Sequence, residues 1–326
     1  MSFDVITIGS ATVDHFADTD SELIRIDTRY HHEELIAFPL GSKLLINELK
    51  TTVGGGGTNT AVAFSHLGLK TAYLGKIGDD AAGDFVLQLL KDENITFLGP
   101  REGQTGFSVI LNSIQDDRSI LAFKGANDHL RTNEVPKLDT KWIYLSSMLG
   151  ESWDTIVNII ASGQFNVAFN PSNYQAELGC QALSTLIDHV NILIMNREEA
   201  CKLLSIDHLE APEFRKLLAL LHELAPKIVV ITDGKKGAFV YDGETFYHGK
   251  PTPGLNILET TGAGDAFAAT FTSAIIKGIT TETALNYAMT NAESVLQYKG
   301  AKEKLLHWDE LISQAEQNSR QIETLD

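Results

Sequence analysis

The residues best suited to chemistry lie where a polar segment turns into a long apolar helix. The turn contains Gly262 and Gly264, Asp265 follows it, and small or apolar residues continue over 266–276 at helical spacing. Free N–H groups and the positive end of the helix dipole attract an anion at such a turn, typically a phosphate. Asp265 is then interpreted either as a plain helix cap or as a base that takes a proton from an attacking hydroxyl.

A second candidate site is the segment 53–63, where four consecutive glycines, beginning at Gly54, precede small residues with Asn59 among them. Glycine allows a ligand to approach the backbone closely, so the segment is interpreted as a ligand site, with a flexible hinge as the alternative. The third glycine of a G-x-G-x-x-G dinucleotide motif is missing, because Thr60 stands there. The chain also lacks the G-x-x-x-x-G-K-[ST] phosphate loop.

Polar residues at the ends of two predicted strands form further candidate sites. Asn196 and Glu199 face the same side of a helix start. They are interpreted either as a capping box or as groups that hold Mg²⁺ with its waters and the phosphates of a nucleotide. Thr232 ends another strand, and Gly234 and Gly237 after it suit a plain turn or contacts with ribose and phosphate equally well.

The elements that position these residues alternate between short strands and helical segments. Buried strands are predicted at 3–8, 71–77, 142–146, 167–169, 192–195 and 228–232. Such alternation predicts a parallel sheet covered by helices on both faces, with ligands beyond the carboxyl ends of the strands. Two hairpins are predicted, at 105–123 and 237–248; the segment 20–50 is assigned to a peripheral lid, and the tail from Thr281 is predicted to be helical.

The composition is that of a globular protein. The chain has 326 residues, of which 43% are apolar and 21% charged, enough for one large domain or one large and one small. A formal net charge of −17 argues against a nucleic-acid partner, but backbone N–H groups can still bind a polyphosphate. Two cysteines are too few for a disulfide framework or metal cluster. Since no signal peptide or membrane span is recognisable, we expect a cytoplasmic protein without a membrane partner.

Two of these segments resemble the signature motifs of the ribokinase-type (PfkB) carbohydrate kinases. The first motif covers 54–63 and the second 259–267, and the segments 78–83, 125–127, 196–199 and 232–237 follow in the family's order and spacing. The likeness extends from Gly9 to about Gly300. The second motif is highly specific to the family, whereas a run of glycines by itself is not.

The resemblance implies an α/β fold: a ribokinase-like three-layer α/β/α domain with a mostly parallel sheet, formed by residues 1–326. A small β-sheet lid from about 11–53 and 104–124 would be inserted in it. The implied activity is that of an ATP-dependent kinase that uses Mg²⁺ and phosphorylates a hydroxymethyl group of a sugar or nucleoside. The implied partners are this small-molecule acceptor and a second copy of the chain, because the lids of relatives often pair into dimers.

The resemblance also assigns roles to residues that match the family's motifs. Asp265 would be the base, beside an anion hole formed by the backbone of Gly262, Ala263 and Gly264. The acceptor would be held by Asp14, Gly55, Gly56, Asn59 and Asn127. The nucleotide would be held by Asn196, Thr232, Gly234, Gly237 and Asn291, and Mg²⁺ by Asn196 and Glu199.

Three features depart from the family pattern. The second motif usually opens with Asp, and the residue there helps bind a monovalent cation in some members. This chain has Glu259, so a monovalent cation and potassium activation stay open. Ribokinase has a lysine at the position of Gly56 and an asparagine at that of Thr12, and the segment 20–50 is longer than ribokinase needs. The acceptor therefore stays open between a sugar and an adenosine-like nucleoside, and a regulator that retains the fold without activity is the third alternative.

Overall fold

The structure, a computed structural model, describes residues 2–18, 22–27, 32–38, 40, 41, 43, 45–112, 118–298, 300–318 and 320–325. These residues form a ten-stranded sheet, a four-stranded sheet and a separate two-stranded hairpin. Helices pack on both faces of the largest sheet. None of the helices in the described ranges has the length and apolar character needed to cross a bilayer.

The strands are short, as buried strands of an α/β protein usually are. In chain order they are β1 Val5–Ile8, β2 Thr12–Asp18, β3 Glu22–Asp27, β4 His32–Ala37, β5 Glu48–Gly54, β6 Thr71–Leu74, β7 Thr96–Phe97, β8 Gly106–Asn112, β9 Arg118–Phe123, β10 Trp142–Leu145, β11 Asn166–Phe169, β12 Val190–Asn196, β13 Ile228–Thr232, β14 Ala238–Tyr241, β15 Phe246–Gly249 and β16 Ile322–Thr324. The helices are α1 Gly56–His66, α2 Ala81–Asp92, α3 Gly150–Ser162, α4 Asn173–Ala176, α5 Gly179–Ile187, α6 Arg197–Leu203, α7 Phe214–His222, α8 Ala263–Ile276, α9 Thr281–Leu296 and α10 Trp308–Gln317.

The large sheet has the order β16-β15-β14-β13-β12-β11-β10-β1-β6-β7. All neighbours from β13 to β7 are parallel, and β14, β15 and β16 add an antiparallel edge. Parallel neighbours need long crossovers, which the helices supply, whereas the short turns after β13 and β14 allow only antiparallel pairing. The predicted α/β class with a mostly parallel sheet is therefore confirmed.

Side chains of the central strands alternate between two cores on opposite faces of this sheet. In β12, Ile192 and Ile194 join one core while Leu193 and Met195 join the other, and all four are at most 2% exposed. The first core also contains residues of α1, α8 and α9, and the second contains residues of α3, α5, α6 and α7. This alternation, which follows from the two-residue period of a strand, produces the three layers.

The smaller sheet has the order β5-β2-β8-β9, with β2 and β8 parallel and the outer pairs antiparallel. It is tied closely to the large domain, because β2 begins four residues after β1 ends and β5 leads directly into α1. The hairpin of β3 and β4 lies in the chain between β2 and β5. This is the second, small sheet that the family resemblance implies.

Two of the predicted elements need adjustment, and one confirmed hairpin is described only in part. The helix predicted from 266 begins at Ala263, which places Asp265 within its first turn. The hairpin predicted around 115–118 is confirmed as β8 and β9, although residues 113–117 lie outside the described residues, as do 20, 21, 28–31, 39, 42 and 44 of the predicted lid segment. The tail is not wholly helical: Ile322–Thr324 forms β16 on the open edge of β15, because a tertiary contact there completes the backbone hydrogen bonds of both strands.

Candidate active site

The turn before α8 requires glycine at its first position. Gly262 has φ +79°, in the left-handed region that favours glycine, and a Cβ there would lie 2.5 Å from Ala301. The helix that follows is buried along most of its length. A Cβ on Gly264, in the first turn, would meet no described atom within 4 Å. The start of α8 therefore packs against Ala301 on the side of Gly262 and is unobstructed on the side of Gly264.

The open side is a cavity of about 370 Å³ at the carboxyl ends of the parallel strands. Its walls are formed by polar side chains, glycines and a few apolar residues: Ser10, Gly56, Ser146, Ser147, Asn170, Pro171, Ser172, Ile194, Met195, Asn196, Glu199, Thr232, Gly262, Gly264 and Asp265. The ends of five predicted strands thus meet in one place, as parallel strands of a single sheet require. The positive end of the α8 dipole faces this cavity, and an anion bound there would be stabilised by it.

The Asp265 carboxylate is held by a side chain from the other predicted motif. Asn59 in α1 donates a hydrogen bond from Nδ2 to Oδ2 of Asp265 over 2.9 Å. The Oδ1 atom of the same amide accepts a hydrogen bond from Nζ of Lys302, also over 2.9 Å. Lys302 donates a further hydrogen bond to the carbonyl of Val53 at the end of β5. Two motifs 206 residues apart in the chain thus meet at a single carboxylate.

Burial changes the acidity of both charged groups in this arrangement. It raises the pKa of the Asp265 carboxyl to about 6, while the Asn59 hydrogen bond and Lys302 act in the opposite direction and Asp14 adds to the rise. Burial lowers the pKa of the Lys302 ammonium to about 8, against the attraction of Asp14 and Asp265. A carboxylate with such a pKa is charged at neutral pH and is a better proton acceptor than an exposed aspartate.

The glycine run is packed against the site. A Cβ on Gly54 would lie 1.8 Å from Oδ2 of Asp14, so the missing side chain makes room for that carboxylate. Gly55 has φ +96° and precedes α1, whose first residues are largely buried. A Cβ on Gly56 would lie 3.8 Å from Oδ1 of Asp265. The bare backbone of this run therefore lets α1 and Asp14 lie close to Asp265.

Asn196 and Glu199 form the capping box that the sequence suggests. The Asn196 backbone N–H donates to Oε2 of Glu199 over 2.9 Å, and the Glu199 N–H donates to Oδ1 of Asn196 over 2.8 Å. Both residues also line the cavity, and burial raises the pKa of the Glu199 carboxyl above its usual range. The cap thus fixes a carboxylate at the cavity wall. The pair can therefore be a capping box and also hold Mg²⁺ with its waters.

The segment after β13 contributes one predicted residue to the cavity. Thr232 lines it, whereas Gly234 and Gly237 are not among its lining residues. These glycines form a tight turn, in which the Asp233 N–H donates to the Gly237 carbonyl over 2.8 Å. A Cβ on Gly237 would lie 2.0 Å from the carbonyl oxygen of Gly249, so the close approach of β15 is enough to require glycine there.

Two residues predicted to contact ligands have side chains that are hydrogen-bonded within the protein. The buried amide of Asn127 accepts from the Ala11 N–H and donates to the carbonyls of Ala11 and Lys124. Asn291, on α9, donates from Nδ2 to Thr270 and accepts at Oδ1 from the Leu306 N–H. Both amides are hydrogen-bonded within the protein, and Asn127 and Asn291 are not among the residues that line the cavity.

Other cavity residues were not predicted. The residues Ser10, Ser146, Ser147, Asn170 and Ser172 line the cavity but had no assigned role. Position at the carboxyl end of a parallel strand is the signal that would have found them. Lys302 had no comparable signal, because one of several lysines in a polar segment gives no indication of its long-range contacts.

An α/β/α fold with a helix start and a buried carboxylate at the strand ends has the features of an enzyme that handles phosphate groups. The sequence model of the pfkB family carbohydrate kinases matches residues 5–308, and the chain therefore belongs to this family. The expectation of an ATP-dependent carbohydrate kinase is confirmed at the level of the family.

Individual relatives support the same assignment. The chain is 29% identical over 254 residues to an uncharacterized sugar kinase of Archaeoglobus fulgidus, covering 75% of this chain and 98% of the relative. It is 25% identical over 272 residues to a nucleoside kinase of Methanocaldococcus jannaschii, covering 81% and 86%. The solved structure of ribokinase from Giardia lamblia superposes with a TM-score of 0.81 at 18% identity, covering 98% of this chain and all of that one, which shows a shared fold.

Proposed function

We propose that this protein transfers the γ-phosphoryl group of ATP to a hydroxymethyl group of a sugar or sugar derivative. The observation that carries this proposal is the shared first turn of α8, where the Asp265 carboxylate adjoins the glycine turn and faces the cavity. A base and a set of anion-binding N–H groups on one turn suit a reaction in which an alcohol attacks a phosphate.

The proposed reaction uses this geometry. Asp265 accepts the proton of the acceptor hydroxyl while the oxygen of that hydroxyl forms a bond to the γ-phosphorus. The bond from that phosphorus to the bridging oxygen breaks, and ADP leaves with the electron pair. The backbone N–H groups at Gly262, Ala263 and Gly264 stabilise the charge on the phosphoryl oxygens during transfer. Asn59 holds the carboxylate in place throughout by its 2.9 Å hydrogen bond.

The nucleotide is proposed to occupy the side of the cavity lined by Asn196, Glu199 and Thr232. No cluster of three or more His, Cys, Asp or Glu side chains suited to a metal occurs in the parts of the chain that the structure describes. One carboxylate and one amide oxygen at the wall nevertheless fit Mg²⁺, which keeps several waters and binds largely through substrate phosphates. When bound, Mg²⁺ would neutralise charge on those phosphates.

This role of Glu199 predicts a specific loss. Glutamine at position 199 can still complete the capping box, so the fold of α6 is preserved while the negative charge is removed. We expect Glu199→Gln to raise the Mg²⁺ concentration for half-maximal activity by about tenfold or more. Glu198→Gln is the matched control, because Glu198 lies in the same turn and pairs with Lys202. Equal Mg²⁺ dependence of the two variants would contradict the assignment.

The acceptor is proposed to bind on the other side of Asp265, against Asp14, Gly55, Gly56 and Asn59, with the small sheet as a lid. Asp14 lies on β2 of that sheet, and its Oδ1 accepts from the Thr12 hydroxyl over 2.8 Å. A lid of this kind would exclude water, which competes with the acceptor hydroxyl for the phosphoryl group. In this arrangement the motif at 54–63 positions the acceptor, and the motif at 259–267 positions the phosphoryl group of ATP.

Part of one face of the small sheet is apolar and exposed, and we propose that it pairs two copies into a homodimer. Leu49, Phe107, Leu121 and Phe123 lie on the same face by register and are 40–61% exposed. We expect Leu121→Asp to weaken the dimer by about 2 kcal/mol or more in sedimentation measurements. Ile120→Asp, on the opposite face of β9, should leave it intact. A monomeric wild-type protein, or a Leu121→Asp dimer of unchanged strength, would contradict the proposal.

A nucleoside acceptor is the alternative, favoured by the similarity to the nucleoside kinase of M. jannaschii. The deciding experiment couples ADP release to NADH oxidation with ATP and Mg²⁺ across pentoses, hexoses, sugar acids, sugar phosphates and nucleosides. Turnover with a sugar or sugar derivative supports the proposal, and turnover confined to nucleosides supports the alternative. No ADP release with any acceptor would indicate a ligand-binding regulator instead.

A further inference from the structure

Lys302 is a charged residue at the site for which the proposed reaction has no role so far. It lies in the segment between α9 and α10, which packs directly behind the glycine turn, since Ala301 occupies the space that a Gly262 side chain would need. The same segment is tied to the start of the second motif by a 2.8 Å hydrogen bond from the Gly300 N–H to Oε2 of Glu259. A lysine on this segment is thus held directly behind the glycine turn.

The ammonium of Lys302 donates to two acceptors on different elements, the Val53 carbonyl and Oδ1 of Asn59. An asparagine amide has one end that only accepts and one that only donates, and an ammonium can only donate. Lys302 therefore fixes which end of the Asn59 amide it faces. The donating end is left for Asp265, whose carboxylate can only accept.

Charge favours the same arrangement. The carboxylates of Asp14 on β2 and Asp265 on α8 both attract the ammonium, as do Glu93 after α2 and Glu303 in its own segment. Lys302 in turn favours the charged form of Asp265. Without this ammonium, Asp14 and Asp265 would face each other as like charges, which disfavours the ionised base.

We propose that Lys302 is a positioning residue of the kinase, which orients Asn59 so that its amide holds the Asp265 carboxylate and which offsets the charge of Asp14. The proposal rests on the proposed role of Asp265 as base. Lys302 acts through Asn59, and its effect is on the orientation and ionisation of the base.

The test is the pH profile of kcat/KM for the best acceptor from the panel, measured from pH 5 to 10 for the wild type, Lys302→Met and Lys302→Gln. We expect Lys302→Met to lower kcat/KM for the acceptor by about 10- to 100-fold, with KM for ATP nearly unchanged. The acid limb of the Lys302→Met profile, where kcat/KM falls as the pH drops, should move to higher pH. The reason is that the ammonium that favours the charged form of Asp265 is gone. An alkaline limb near pH 8 in the wild type, where the Lys302 pKa lies, should be absent from both variants.

Lys302→Gln separates hydrogen bonding from charge, since its amide can still donate to Asn59. It should recover part of kcat/KM while showing the same shift of the acid limb, and it provides the test if the methionine variant does not fold. The matched control is Lys304→Met, because Lys304 is exposed two residues further on and lies over the Tyr298 ring. The control should have the wild-type profile.

Two results would overturn the proposal: variants with wild-type kcat/KM and an unmoved acid limb, or variants whose only change is a lower melting temperature. Asp265→Asn is assayed in parallel. If it is inactive while the Lys302 variants behave as the wild type, only the role of Lys302 fails. If it is fully active, the proposed function itself fails.

Discussion

Replacing Asp265 with asparagine is expected to lower kcat by about 10²-fold or more while leaving ATP affinity largely unchanged. Asparagine preserves the size of the side chain and can still accept the hydrogen bond from Asn59, but it cannot take a proton from the acceptor. The loss therefore falls on the chemical step. Steady-state kinetics with the best acceptor, together with calorimetric titration of ATP, would measure both quantities.

The control is Asp309→Asn, which makes the same change in the first turn of α10 at an exposed position. If the acidic residue of α8 were only a helix cap, the two variants would behave alike: small losses of stability and full activity. Unchanged turnover in Asp265→Asn would refute the assignment of the base, whatever family the chain belongs to.

The acidity of Asp265 adds a pH dependence to this result. Because burial raises its pKa to about 6, the fraction of charged base falls as the pH drops through that value. In the wild type, kcat/KM should therefore be greatest near pH 7 and decline about tenfold per pH unit well below pH 6. The residual activity of Asp265→Asn should lack this limb. If the acid limb of the variant's pH profile lay at the same pH, the limb would belong to another titrating group.

The second large effect is expected from Gly264→Ala. A methyl group at this position would meet no described protein atom within 4 Å, so it would extend into the cavity where the phosphoryl group is proposed to lie. Displacing that group from the N–H donors of the turn should cost about 10²-fold in kcat. Because Gly264 is inside α8, the same change should raise stability by about 0.5–1 kcal/mol.

An enzyme that becomes more stable and less active after one substitution would be difficult to explain by misfolding. Thermal unfolding and circular dichroism measure the first property and the coupled assay the second. Wild-type kcat in Gly264→Ala would show that the phosphoryl group does not approach this turn. A large loss of stability would show that the methyl group clashes with the protein, which would contradict the open space in front of Gly264.

Much of the fold could be predicted because it depends on local patterns. The strands β1, β10, β12 and β13 are short apolar runs, and both hairpins surround polar turns, so periodicity and turn residues identify them. The α8 turn and the glycine run were recognised for the same reason, since each combines a special backbone with a helix start. Patterns of this kind are local, and their chemistry can be inferred before any contact is known.

What the sequence determined by itself was therefore the class of fold, the family, and the two motifs that carry Asn59 and Asp265. The tertiary structure decided which side chains meet. In the folded chain, Lys302 contacts Asn59 across 243 residues of sequence. The amide of Asn291 is hydrogen-bonded to Thr270 and to the Leu306 N–H, and β16 pairs with the edge of β15. Contacts between distant segments are selected by packing, burial and the pairing of polar groups in three dimensions, and none of these leaves a local pattern in the chain.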